Sequence, residues 1–271
     1  MAKRIFKGEC MLDLLFRLFL VLSLCGLLST SALADETPNR EANAPWLKGE
    51  RLTYSLSWGI ITAGNATLEV RPVAGGKMEF LTHAYDSGAL KKIYPVSDTV
   101  YTLVRGKDLV TEVFYKSLHE GSFHNKSIIR FDRDKKQAAL ADTVFSNPAQ
   151  RQIKKSSDTT ISIKGDEHSI MSAFYFVRTI PLTSGDTTRF AAVSGTKRYE
   201  LKVIVHGRET MKFKGKTYNT VKIEPVLDGD GIFNSKGRIF IWLTDDERRV
   251  PLLMECEVAL GSVRARLISD K

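Results

Sequence analysis

The sequence is poor in the residues that usually announce chemistry. Its 271 residues hold three cysteines, Cys10, Cys25 and Cys256, too few for a disulfide framework and without the Cys-x-x-Cys spacing of a redox or zinc site. Among the five histidines, His83, His119, His124, His168 and His206, no pair has the i, i+4 spacing of a helical zinc motif. There is no Gly-x-Ser-x-Gly elbow and no phosphate-cradling glycine loop. Long hydrophobic runs are scarce too. The longest, Leu18 to Leu28, has about 11 residues, whereas a spanning helix needs roughly 20, so a membrane anchor is disfavoured. A charged fraction of 26% and an apolar fraction of 43% are ordinary for a globular chain and exclude disorder along most of its length.

That run instead has the form of an export signal. Lys3, Arg4, Lys7 and Arg17 precede it, and Ala32-Leu33-Ala34 follows, the small-x-small pattern after which signal peptidase cuts. Met11 is an alternative start. Cys25 raises the rival of an acylated lipoprotein signal, but Leu24 stands where a small residue is expected before the acylated cysteine. Cleavage after Ala34 leaves a periplasmic chain of net charge about +7, lowered from +9, with Cys256 as its only thiol. The basic residues are scattered and form no stripe, so nucleic acid is an improbable partner. The anionic envelope is a better one.

Residues 1–34 thus read as a signal peptide, 35–46 as a polar leader with Pro38 and Pro45, and 47–271 as one β-rich domain. Leu52, Tyr54, Leu56 and Trp58 alternate with polar residues, and the same period-two pattern recurs at hairpin spacing to Ile268. One helix stands out after Asp166-Glu-His-Ser. Ile170, Ala173, Phe174 and Val177 fall on one face, other apolar residues lie around it, and Pro181 stops it. A second, weaker helical turn is expected at Ser87–Ile93. Accumulated twist and the hazard of open edges predict a mainly β fold, with a curled antiparallel sheet, a barrel or half-barrel, wrapped around that helix.

Candidate sites are few. Ile239-Phe-Ile-Trp-Leu243 is apolar on both strand faces, so both must be covered, the second by the helix, a partner or a ligand. Tyr54, Trp58, Phe240 and Trp242 are therefore candidate lining residues of an apolar trough, with core packing as the alternative. Arg178, Asp245 and Asp246 form a candidate polar cluster. Paired carboxylates can serve as acid and base, and they can equally cap a turn. His119 and His124 flank Gly121, where a surface metal pair competes with simple solvation. Asp228-Gly-Asp-Gly231 lacks the later ligands of a calcium loop. Cys256, on the face shared by Leu252, Met254 and Val258, is expected to be buried and inert. No cofactor and no resident metal are expected.

Three stretches carry a resemblance. His168–Arg178, Lys197–Glu209 and the block Gly231–Asp246 with Arg249-Val-Pro-Leu resemble the DUF3108 family of exported bacterial proteins, whose biochemical function is unassigned. The resemblance implies a fold like the twisted antiparallel half-barrels of periplasmic lipid and lipoprotein carriers, an analogy that fixes no activity. The leading expectation is a non-catalytic envelope-maintenance or binding protein that takes a lipid or lipidated partner in its trough. The alternatives are an interaction module for envelope protein or glycan without an internal ligand, and a hydrolase using Asp245 or Asp246.

Overall fold

The computed structural model describes residues 44–87, 95–147, 149, 151–228, 237–258 and 261–271. The export segment, most of the Ser87–Ile93 turn and most of the Asp228–Gly231 loop lie outside the described residues. After a short 3-10 turn at Pro45–Lys48, the chain forms β1 (Glu50–Trp58), β2 (Ile61–Val73), β3 (Lys77–Asp86), β4 (Ser97–Arg105), β5 (Thr111–Glu120), β6 (Phe123–Asp132), β7 (Gln137–Asn147) and β8 (Gln152–Ser162). Helix α1 (Ile170–Val177) follows, then β9 (Thr187–Ser194), β10 (Lys197–Phe213), β11 (Lys216–Asp228), β12 (Ile239–Thr244), β13 (Pro251–Val258) and β14 (Gly261–Asp270).

All 14 strands belong to one antiparallel sheet, in the order β8-β7-β6-β5-β4-β3-β2-β1-β14-β13-β12-β11-β10-β9. It is a meander in which β1 pairs with β14 at the middle. Among the described residues, consecutive strands fail to pair only between β8 and β9, where α1 intervenes.

The expected barrel or half-barrel is not formed. The sheet is open, with β8 and β9 as its two edges and no ladder joining them. The expectation rested on the hazard of free edges, and the chain manages that hazard by other means. β8 is polar and exposed along nearly its whole length and carries Lys154 and Lys155, charges that discourage further pairing. The edge of β9 is occupied by His168, whose N–H donates to Ala191 O at 2.9 Å while its carbonyl accepts from Val193 N at 2.8 Å.

Helix α1 forms where the sequence places it. The Ser169 hydroxyl accepts from Ser172 N at 3.3 Å and caps the first turn, and Thr179 N bonds back to Phe176 O at 2.9 Å before Pro181 ends the run. Met171, Ala173, Tyr175, Phe176 and Val177 are buried in the main core against strand residues such as Leu52, Leu68, Phe80, Val203 and Leu267. The Tyr175 ring stacks on Phe80 with centroids 4.0 Å apart, and Trp46 meets both.

A buried polar cluster holds the helix start in register. Thr111 Oγ1 accepts from Ser169 N at 2.6 Å and lies 2.7 Å from Ser172 Oγ, which in turn lies 3.1 Å from His168 Nδ1. Burial holds the His168 ring at a pKa of about 4, so it is neutral here. Cys256 is a buried thiol of the main core.

Candidate functional site

The four aromatic candidates do not share a surface. Tyr54 is fully buried in the main core, with its hydroxyl donating to Pro251 O at 2.9 Å, and Trp58 packs half-buried against the same core. Phe240 and Trp242 point to the opposite face, where they form a small separate cluster with Leu253 and Met211. Strand alternation puts Ile239, Ile241 and Leu243 inward, so the two-faced β12 is covered twice.

The second cover comes from the chain itself. Lys222 Nζ lies 4.1 Å from the Phe240 ring centroid and 4.8 Å from that of Trp242, and the Arg238 guanidinium lies 4.6 Å from Phe240. Glu224 tethers Arg238 through two bonds of 2.8 Å and meets His206 Nε2 at 2.7 Å. The Arg238 hydrogen bonds, more than His206, hold the Glu224 carboxyl below its usual range despite its burial. Trp242 Nε1 donates to Glu209 Oε1.

Arg178 and the Thr244–Val250 turn do meet, but not through the two aspartates. Arg178 Nε donates to Arg249 O and its Nη2 to Arg248 O, each at 3.0 Å. The carboxylate partner is Glu50, 128 positions earlier, gripped bidentately at 2.7 and 2.9 Å. Side-chain exposures of 0% and 2% make this a fully desolvated pair, and the guanidinium also lies 4.7 Å from the Trp46 ring. Glu50 escaped the sequence reading because alternation carries no information about a partner so distant.

Asp245 is held by Arg208 at 2.5 Å and Arg249 at 2.8 Å, and the Arg208 bond chiefly keeps its carboxyl below the ordinary range. Asp246 Oδ1 accepts from Thr244 Oγ1 at 2.7 Å and from the Arg248 and Arg249 backbone N–H groups at 3.1 Å. Both carboxylates are occupied in shaping a turn, where Arg249 adopts φ 48°.

A groove of about 430 Å³ opens elsewhere, lined by His119, His124, Asn125, Lys126, Phe145 and Arg151. The Gly121–Ser122 turn sets His119 opposite His124, and the next register sets His124 opposite Phe145. One row therefore crosses β5, β6 and β7. Leu118 and Asn125, their neighbours in sequence, are buried, so this row lies on the face turned away from α1.

The imidazole centroids are 5.2 Å apart, edge to face. His119 Nδ1 lies 3.2 Å from Ser97 O, and His124 Nδ1 is buried without a hydrogen-bond partner, which leaves Nε2 as the nitrogen each ring can offer. Burial, then the neighbouring His119, lowers the His124 pKa, so this ring is neutral at pH 7. Lys126 lies along β6 with its ammonium 5.9 Å from the Phe145 ring, and Asn125 turns its amide away to Asp142 and the Thr143 carbonyl. Among the described residues no group of three metal-ligating side chains assembles, and no helix is long and apolar enough to cross a membrane.

Residues 53–268 match the family model described as "Protein of unknown function (DUF3108)". No curated protein matches the chain. Among solved structures, a beta-barrel-like protein of the DUF1849 domain of unknown function from Brucella abortus superposes with a TM-score of 0.53 at 13% identity, covering 82% of this chain and 97% of that one. At that identity the likeness concerns fold alone. A putative exported protein with a YmcC-like fold from Bacteroides fragilis gives a TM-score of 0.27 at 9% identity, over 86% of this chain and 97% of that one.

Proposed function

We propose that this chain, which belongs to the DUF3108 family, is a non-catalytic binding protein of the bacterial cell envelope that works from the outer face of its sheet. Of the readings raised by the sequence, this is the interaction module without an internal ligand. The observation that carries it is the filling of the inner face, where Tyr54, Phe80, Tyr175 and Met171 pack into one continuous core around α1. Tyr54, Trp58, Phe240 and Trp242 lie on two faces and support no common trough.

The carboxylates argue in the same direction. An acid–base pair needs two groups whose environments push their pKa values apart and leave each able to meet a substrate. Asp245 spends both oxygens on arginines, and Asp246 gives Oδ1 to a hydroxyl and to backbone N–H groups. Export through residues 1–34 belongs to the same proposal, because a chain of net positive charge suits an anionic envelope.

Osmotic-shock fractionation followed by native mass spectrometry tests the proposal. The expected result is a chain beginning at Asp35 in the periplasmic fraction, with an envelope molecule bound to the folded protein and released on unfolding. A chain confined to the cytosol, or one that carries no envelope molecule under any native condition, overturns it.

A further inference from the structure

We propose that the groove between His119, His124, Lys126, Phe145 and Arg151 is a binding site for a phosphate monoester. The inference rests on the binding reading above and names the class of ligand.

Charge argues first for an anion. Among the described residues the lining side chains include the ammonium of Lys126 and the guanidinium of Arg151 and no carboxylate, and Asn125 directs its amide to Asp142 on the other side of the sheet. A transition-metal ion would find two imidazoles, no third ligand among the described residues, and two fixed positive charges beside it. The like charges oppose that occupant and favour the opposite one.

Donor number then separates phosphate from carboxylate. Lysine offers three N–H donors, arginine five, and the His124 imidazole can add one through Nε2. A carboxylate presents two oxygens and one charge, whereas a phosphate monoester presents three terminal oxygens and a charge of about −1.5 to −2 near pH 7, matched to two cations. His119 directs Nδ1 to the Ser97 carbonyl, which fixes the ring at the edge of the groove beside His124. Last comes size. About 430 Å³ is more room than a bare phosphate fills, so the phosphoryl group arrives on a carrier, and the Phe145 ring in the wall gives that carrier an apolar face to lie on.

The carrier can be a lipid headgroup or a soluble sugar, and the experiment separates them. Calorimetric titration of the chain beginning at Asp35 uses glucose 1-phosphate as the soluble probe, and flotation uses vesicles of phosphatidic acid against vesicles of phosphatidylcholine. The expected result is saturable 1:1 binding of at least one phosphate probe, weakened about tenfold or more in both Lys126→Ala and Arg151→Gly. Lys222→Ala, on the distant aromatic cluster, is expected to bind as the parent does.

Arg151→Gly guards against misfolding as an explanation. The backbone there has φ 54°, a conformation glycine adopts freely, so the variant removes the guanidinium without adding strain. Binding to phosphatidic acid vesicles with this dependence identifies a lipid source, and binding confined to glucose 1-phosphate identifies a soluble one. No saturable binding of either probe at millimolar concentration, or equal affinity in the parent and both groove variants, overturns the proposal. If that happens while native mass spectrometry still finds a bound envelope molecule in the periplasm, the ligand class falls and the binding reading stands.

Discussion

Replacing Arg178 by Met tests whether the buried pair with Glu50 holds the end of α1 to β1 and to the Thr244–Val250 turn. The substitution removes four hydrogen bonds at once, two to the Glu50 carboxylate and two to the carbonyls of Arg248 and Arg249. It leaves a carboxylate with 2% side-chain exposure facing an apolar side chain. Breaking such a pair from one side costs about 3–5 kcal/mol. The lower end applies here, because Arg248 Nη2 already lies 3.8 Å from Glu50 and can move closer. About 3 kcal/mol corresponds to a fall in Tm of roughly 6–12 °C for a domain of this size. Urea unfolding followed by tryptophan fluorescence reads the change directly, since Trp46 lies against the guanidinium. The double variant Glu50→Leu, Arg178→Met removes both charges and is expected to recover most of the loss. A single variant within about 1 kcal/mol of the parent, or a double variant no better than the single, refutes the reasoning.

Trp242→Ala opens the outer aromatic cluster and is expected to cost about 3 kcal/mol in urea unfolding; a loss under about 1 kcal/mol means that Lys222 and Arg238 carry that cover without the ring. Asp246→Ala deprives Thr244 Oγ1 and two backbone N–H groups of their acceptor, for an expected loss of about 1–2 kcal/mol, and an unchanged Tm would show that water replaces the carboxylate. Two buried groups give opposite pH dependences. Burial raises the Asp98 carboxyl from 3.8 to about 7, so its contribution is complete below about pH 4 and is lost as pH rises through 7; burial lowers His168 from 6.5 to about 4, so its contribution is complete above 6.5 and is lost as pH falls through 4. Unfolding midpoints measured from pH 4 to 8 should therefore change little in the parent and rise more steeply with pH in Asp98→Asn, and a parallel profile in that variant would count against the Asp98 assignment.

Most of the sheet could be read from alternation, and the failures have identifiable causes. The strand missed was β8, Gln152–Ser162, which is polar and exposed on both faces and so carries no period of two. The pattern reports burial on one face, and an edge strand without a buried face leaves no trace in it. The expected closure failed for a related reason. It treated open edges as intolerable, whereas the lysines of β8 and the backbone of His168 protect them at little cost. For the sites, alternation set Phe240 and Trp242 on the strand face opposite Ile239, Ile241 and Leu243, but placing them in one trough with Tyr54 and Trp58 failed, and their cover was not legible. Lys222 reaches the rings because β11 sets it directly opposite Trp242, a register that no local pattern specifies. The same limit hid Phe145 beside His124, although the Gly121–Ser122 turn already implied the pairing of the two histidines.

The two faces of the sheet are built by different physics, and that difference bears on function. Inward residues are chosen by volume. Phe80, Tyr175 and Trp46 fix the seat of α1, and a polar cluster of Thr111, Ser169, Ser172 and His168 fixes its register, so a change there alters stability before it alters anything else. Outward residues are chosen by charge. At the Phe240–Trp242 cluster the cations are answered within the chain, Arg238 by Glu224 and the aromatic rings by Lys222. At the histidine groove the lining among the described residues provides Lys126 and Arg151 and no acidic side chain, the arrangement on which the proposed anion site rests. A surface that neutralises its cations in one place and gathers them around a cleft in another is organised for an anionic ligand at the cleft, and a perturbation of Lys126 or Arg151 should change binding while leaving the fold as it was.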